Sequence, residues 1–443
     1  MLDRTHSERI IRKAIAASDA DHLEISISGG KNALTRFANN EIHQNLIQKD
    51  YSLSVRATYG GKSGIATSNV FKGEDLAATV NKACEIARHS DDDPDFLPPE
   101  GNHEYPYIDD CYMDDTVECT PQIRAEIVAR IVEKARAKGL VTAGTLSTGD
   151  AMICLGNTSG QLAYHSWTDT SFTLTMTNDQ DGTSWAERIH PDLSAIDFDE
   201  LTDRAIRVTA LNRNPGTIED GEYNVLLSPE AVGNMIMFLG YLGFSAQDYI
   251  EGRTFLTEQL NQKVFGENFS LVDDPFDPDS PGIPFDSEGI PRRRTVLVDK
   301  GVACGMVHDR STAAKLKAEP TGHATPMQNS WGPVPRNLRV SPGEVPEAEM
   351  VERLGNGIYI CNFFYDNVVD PLKARITGMT KDGMFLVENG KIVKALGRMR
   401  YNASLLDAFS RIEAMSRELH TLDRGAMKTL VPSMIIKGLH LSA

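Results

Sequence analysis

An α+β fold is predicted for this chain of 443 residues by three features of its sequence. A helix–strands–helix order occurs twice before residue 220, many short strands follow it, and glycine or asparagine pairs separate alternating apolar runs. The length exceeds what one ordinary hydrophobic core organises, so several domains are expected. The predicted boundaries are 1–90 for a first αβ repeat, 91–119 for an acidic proline-rich linker, 120–220 for a second repeat, and 221–443 for a β-rich, barrel-like domain with a few helices.

The first repeat opens with an amphipathic helix in "MLDRTHSERIIRKAIAAS", where Ile10, Ile11, Ala14 and Ile15 share one side. In "HLEISIS" Leu23, Ile25 and Ile27 alternate as in a half-buried strand. "ALTRF" and "EIHQNLIQ" flank Asn39-Asn40 as a hairpin, and "YSLSVRATY" and "GIATS" continue the sheet. "GEDLAATVNKACEIARHS" closes the repeat as a helix with Leu76, Val80, Ala83 and Ala87 in its apolar stripe. "DDDPDFLPPEGNHEYPYIDD" is acidic, broken by prolines, and expected to be solvated. The second repeat starts at Thr120-Pro121, a capping residue followed by the residue best suited to a first helical position. It continues through strands "LVTAGTLST", "AMICLGN" and "AYHSWTDTSFTLTMT" to the helix "DFDELTDRAIRVTALNR".

From Gly221 onward short strands dominate, among them "EYNVLLS", "RRTVLVDK", "GIYICNFFY", "KARITGM" and "SMIIKGLHL", with Asn389-Gly390 as a hairpin turn. Two helices are expected here, one after Ser228 and one over "NASLLDAFSRIEAMSREL", and Asp273 to Pro291 is expected to be an exposed loop. The first of these helices is specified locally. Ser228 can cap it, Pro229 fits the first turn, and the Glu230 carboxylate is favoured by the positive end of the helix dipole.

Composition excludes several functions. Against 45 Lys+Arg stand 62 Asp+Glu, a net charge of −17 that repels nucleic-acid backbones and anionic lipid, so direct nucleic-acid binding is not expected. The arginines of "PRRRT" read as a solvated strand start. No apolar run is long enough to cross a membrane, and the N-terminus has no signal-like apolar segment, so a cytoplasmic location is expected. The cysteines Cys84, Cys111, Cys119, Cys154, Cys304 and Cys361 form no CxxC pair. Cys304 and His308 are four apart, but Gly301 and Gly305 favour a strand and turn over a helix that would bring them together. "YGGKSG" has Arg56 where a phosphate-binding loop needs its first glycine, and reads as a tight hairpin. No Gly-x-Ser-x-Gly elbow or G-x-G-x-x-G fingerprint occurs. His165, His190, His308, His323, His420 and His440 lie at no metal-ligand spacing.

The segments "RFANNEIHQN", "SVRATYGGKSGIATSN", "LLSPEAVGNM", "GMVHDRSTAAKLKAEPTGHAT" and "ENGKIVKALGRMRYNASLLDAFSRIEAMS", in this order, resemble the TldD/PmbA family over nearly the whole chain. The resemblance implies an N-terminal αβ duplication and a β-rich C-terminal domain. It also implies a zinc metallopeptidase branch, the TldD branch, with a His-Glu-x-x-x-His helix and a later cysteine ligand. The other branch, PmbA or TldE, lacks those ligands and pairs with a TldD-type subunit. On this sequence the pattern places Pro229 and Asn234 at the two histidines and Glu230 at the glutamate, and no cysteine follows Cys361. Proline has no donor atom and an asparagine amide is a poor ligand for Zn²⁺. The expectation is therefore a non-catalytic PmbA/TldE-like subunit without a metal or cofactor of its own. Zinc is expected in a TldD-type partner, and unfolded peptides are the implied substrate. A homodimer is the alternative assembly. Thr321, Gly322 and His323, where the family carries a Thr-Gly step, are a candidate chamber loop. Two alternatives remain at this level: a stand-alone metallopeptidase with an unrecognised metal site, and a regulatory protein-binding factor linked to DNA gyrase.

Overall fold

The computed structural model describes residues 2–327, 331–425 and 427–443. Helix α1 (Arg4–Ala16) starts at Asp3, whose carboxylate accepts from the His6 N–H at 2.7 Å. Strands β1 (His22–Ala38), β2 (Glu41–Tyr59) and β3 (Lys62–Ser68) lead to α2 (Glu74–His89). The short α3 (Asp114–Val117) precedes α4 (Pro121–Arg136), which Thr120 caps. Strands β4 (Val141–Asn157), β5 (Leu162–Thr177) and β6 (Thr183–His190) then lead to α5 (Phe198–Leu211), capped by Asp197.

The six strands form one antiparallel sheet in the order β3-β2-β1-β4-β5-β6. That order is what a duplication requires: each repeat contributes three strands, and the first strands of the two repeats pair at the centre. Each half has its own core, with α1 and α2 over β1–β3 and α4 and α5 over β4–β6. Asn39 and Asn40 take left-handed conformations in the β1–β2 turn, as the sequence predicts for a two-residue hairpin.

Where the sequence suggests two short strands on either side of Gly29-Gly30, and again around Gly149, the structure has one strand of 17 residues in each case. These glycines are points of close strand approach. A Cβ on Gly30 would stand 1.9 Å from the Asp150 carbonyl oxygen, so only glycine keeps the ladder continuous. The acidic stretch over residues 91–110 is largely exposed, as expected, whereas the part of the linker that follows it is tied to the second repeat. Ile108, Cys111, Thr116 and Cys119 are buried, the Thr168 N–H donates to the Cys111 carbonyl at 2.8 Å, and Thr116 Oγ1 donates to the Pro191 carbonyl.

The C-terminal region begins with β7 (Gly221–Leu227) and α6 (Pro229–Gly243). Strand β7 belongs to a ring of five strands that closes through Met434–Ser442, Arg400–Ser404, Arg375–Glu388 and Gly357–Asp370 back to β7. This is the barrel-like element expected, and closure leaves its strands without a free edge. A second sheet of short strands includes Leu271–Asp273, Thr295–Asp299, Asn337–Val340, His420–Asp423 and Lys428–Val431. Helix α6 is packed into a core common to both, with Val232, Met235, Ile236 and Leu239 fully buried. No helix among the described residues is long and apolar enough to cross a membrane.

Three local expectations are corrected. The helix over residues 402–419 is only Leu405–Ser410, because Ile412 and Met415 are drawn into a strand against Ile436 and Met434. The segment from Asp273 to Pro291 is no exposed loop: Phe285, Asp286 and Ile290 are buried within it. Arg292 of "PRRRT" is buried rather than solvated, and only Arg293 and Arg294 reach the surface.

Candidate functional site

The start of α6 is built as its sequence specifies. Ser228 accepts from the Ala231 N–H, and its hydroxyl donates to the Cys361 carbonyl of the neighbouring strand, fixing the helix end to the barrel. Pro229 and Glu230 form the first turn, and Glu230 is only 3% exposed. A carboxylate this deep needs compensation beyond a helix dipole.

The compensation comes from the second repeat. Arg204 on α5 donates from Nη2 to Glu230 Oε1 at 2.6 Å, across the junction between the αβ sheet and the C-terminal domain. Burial by itself would raise the Glu230 pKa, but the Arg204 charge and hydrogen bond outweigh it and bring it down to about 2. The Arg204 guanidinium is in turn held above its ordinary range, its burial being more than offset by Glu230. Arg424 donates to the backbone carbonyl of Glu230 at 3.1 Å and pairs with Glu187 of β6 at 2.6 Å. Beside them, Arg188 bonds His420, which contacts Glu347 at 2.6 Å. Three carboxylates (Glu187, Glu230, Glu347) thus face three guanidiniums (Arg188, Arg204, Arg424) in one buried junction.

The resemblance to the TldD/PmbA family implies zinc ligands at this helix start in the TldD branch. The residues here do not fit a metal. Glu230 is engaged by a cation that would repel a divalent ion. Pro229 offers no donor, and the Asn234 amide is turned to the Phe363 carbonyl, to which it donates at 3.2 Å. Cys361 lies close enough to feel the Glu230 charge, and burial pushes its thiol up to about 12. Among the described residues no group of three or more His, Cys, Asp or Glu is arranged to hold a metal ion. Arg204 and Arg424 supply the positive charge that a metal would otherwise bring to this carboxylate.

The second set of sequence-predicted residues lies elsewhere in the C-terminal domain. His323 is completely buried, with Nε2 2.9 Å from Asp273 Oδ1 and Nδ1 2.9 Å from Thr321 Oγ1. Burial lowers its pKa against the pull of Asp273. Asp273 also pairs with Arg292 and accepts the backbone N–H groups of Arg336 and Asn337. Burial opposes ionisation of Asp273, yet Arg292 and His323 hold its carboxyl well below the usual range. Gly322 is required between Thr321 and His323: its φ is 74°, and a Cβ would meet the Pro291 carbonyl oxygen at 2.6 Å. This cluster is distinct from the α6 junction; the two groups of predicted residues are not brought together. Arg188, Arg204, Glu187 and Arg424 carry no local signal in the sequence, since each finds its partner through the tertiary fold.

Comparison with known proteins agrees with this architecture. Residues 220–443 match the PmbA/TldA metallopeptidase C-terminal domain, and residues 23–87 match PmbA/TldA metallopeptidase domain 1. The chain belongs to the PmbA/TldD family. It is similar to the metalloprotease PmbA of Escherichia coli O157:H7, with 22% identity over 439 residues covering 96% of this chain and 94% of that protein. A metalloprotease of Methanothermobacter thermautotrophicus is 25% identical over 234 residues, 51% of this chain and 50% of that protein. The crystal structure of TldE from Thermococcus kodakarensis superposes with a TM-score of 0.90 at 18% identity, covering 98% of this chain and 99% of that one, which establishes the shared fold.

Proposed function

We propose that this chain is a non-catalytic, PmbA/TldE-like subunit that pairs with a TldD-type zinc metallopeptidase and helps to enclose unfolded peptides for cleavage. The observation that carries this reading is the occupation of Glu230. A general base must be free to take a proton from a metal-activated water, whereas Glu230 is held by Arg204 with its pKa near 2. Pro229 and Asn234 supply no ligands beside it. Peptide hydrolysis of the zinc type then requires a partner that brings the metal, and TldD homologues occur among the relatives of this chain. A cytoplasmic location, where peptide turnover by such a pair would take place, belongs to the same proposal.

Purified chain mixed with a TldD-type protein tests this reading. A stable heterodimer with faster peptide cleavage than the partner alone is expected, and Glu230→Gln in this chain is expected to leave cleavage per assembled complex unchanged. Failure to form a complex, together with stoichiometric zinc and peptidase activity in this chain that Glu230→Gln abolishes, would establish the stand-alone enzyme instead.

A further inference from the structure

Strand Gly357–Asp370 outruns the ring that closes the barrel. It pairs with Arg375–Glu388 from root to tip, through the turn Pro371–Lys373, but on its other edge the pairing with β7 ends at Ile360. From Phe364 to Asp370 that edge meets no other strand among the described residues. The root of the hairpin is fixed, because the Phe363 carbonyl accepts from Asn234 of α6. Bulges at Phe364–Asn367 and Val368–Asp370 interrupt the edge, so whatever meets it does so through side chains and not by a continued ladder.

Those side chains are apolar. Five of the twenty exposed large hydrophobic residues among the described residues fall here: Phe364, Tyr365, Val368, Val369 and Leu372. Soluble chains seldom gather exposed apolar groups in this way unless another surface meets them. Tyr365 is 76% exposed and has a φ of 60°, the only aromatic or β-branched residue in the left-handed region among the described residues. A bulky residue there is strained, and exposure of its ring to water does nothing to offset the strain.

Charge selects the partner. The chain carries a net −17, so most contacts between two copies would set acid against acid. The hairpin is an exception. It places Asp366 and Asp370 among Lys373, Arg375 and Lys381, the Asp366 carboxylate accepts from the Tyr401 hydroxyl at 2.7 Å, and the Lys381 ammonium lies 4.9 Å from the centre of the Phe364 ring. The surface bears both signs in near balance, and a two-fold axis that brings it onto its own copy makes a closed contact without an excess of acid.

We propose that this hairpin is a self-association surface, through which two copies of the chain pair about a two-fold axis with Phe364, Tyr365, Val369 and Leu372 of each set against those of the other. The inference does not depend on the pairing with a TldD-type subunit proposed above.

Sedimentation velocity of the purified chain across micromolar concentrations is the test. A dimer is expected for the parent, and a monomer for the chain that combines Tyr365→Ser, Val369→Ser and Leu372→Ser. These side chains are exposed in the monomer, so the triple variant should unfold on heating like the parent diluted until it has dissociated. Tyr365→Asn separates association from folding, because asparagine accepts the left-handed conformation. It should unfold no earlier than the diluted parent and yet pair about tenfold more weakly. A parent that is monomeric throughout, or a triple variant that dimerises like the parent, overturns the proposal. So does a parent that is monomeric alone and whose complex with a TldD-type protein is lost in the triple variant, which assigns the hairpin to that partner instead. A triple variant that is monomeric and still joins a TldD-type protein supports the proposal and leaves the subunit reading intact.

Discussion

The two repeats of the αβ sheet share one sequence of elements and meet different surroundings. In the first repeat the charges beside the last helix face water: Arg88 of α2 pairs with Asp19, and their side chains are 49% and 75% exposed. In the second repeat the last helix and strand face the C-terminal domain, and Arg204 pairs with Glu230 at 19% and 4% exposure. The scaffold is duplicated, but the electrostatics are not. A repeat that buries its outer charges against another domain needs counter-ions there, and here Glu230 at the start of α6 supplies the one for Arg204.

The largest test of this contrast removes the buried pair from one side. Arg204→Ala leaves Glu230 buried and unpaired, and a loss of about 3–5 kcal/mol is expected in the unfolding transition that includes the C-terminal domain. The double substitution Arg204→Met with Glu230→Leu should recover most of that loss, because two apolar groups of similar volume need no counter-charge. A single Arg204→Ala variant as stable as the parent in urea would show that the junction is held by something else.

The same pair fixes a response to acid. The folded Glu230 pKa of about 2 lies below the ordinary glutamate value of 4.5. Its contribution, about 3 kcal/mol if the whole shift is expressed, is therefore fully present above pH 4.5 and is lost as pH falls towards 2. The Arg204→Met, Glu230→Leu protein should show a shallower fall in stability over that window, measured by urea unfolding at successive pH values.

How far the sequence reveals such features depends on the range of the interaction. The α6 start was legible because Ser228, Pro229 and Glu230 are consecutive and each has a local role. The duplication was legible because order survives even where residue identity does not, and the Asn389-Gly390 turn because left-handed conformations suit those residues. Arg204 and Arg424 were not legible. Their partners lie 26 and 194 residues away, and a surface arginine and a buried one look alike in sequence. The continuity of β1 through Gly29 and Gly30 was not legible either, because these glycines answer to neighbouring strands too close for any other residue. The short helix Leu405–Ser410 has apolar spacing that continues into Ile412 and Met415, and only the pairing of those residues with Met434–Ser442 ends it.

A smaller effect of opposite sign is expected at Glu288, in the segment expected to be exposed. Burial and the adjacent Asp286 raise its pKa to about 8, so the folded protein resists an ionisation that the unfolded chain undergoes near 4.5. Stability from this group is lost as pH rises from about 4.5 to 8. Glu288→Gln, neutral at every pH, should match the parent at pH 4 and exceed it on the order of 2 kcal/mol at pH 8 and above. No gain at high pH would mean that the carboxylate is ionised in the folded state.

The smallest effect belongs to the first repeat and completes the contrast. Asp19 accepts from Arg88 at 2.8 Å and from the Tyr59 hydroxyl, and the Arg88 guanidinium lies 4.6 Å from the centre of the Tyr59 ring. Counted by contacts, this cluster is richer than the Arg204–Glu230 pair. It stands in solvent, however, where water replaces each lost contact and salt screens the charges. Asp19→Asn should therefore leave the unfolding midpoint unchanged within error at 0.15 M salt, while Arg204→Ala shifts it strongly. Equal shifts for the two substitutions would mean that contact number, and not burial, sets the strength of these pairs, and the distinction between the repeats would lose its physical basis.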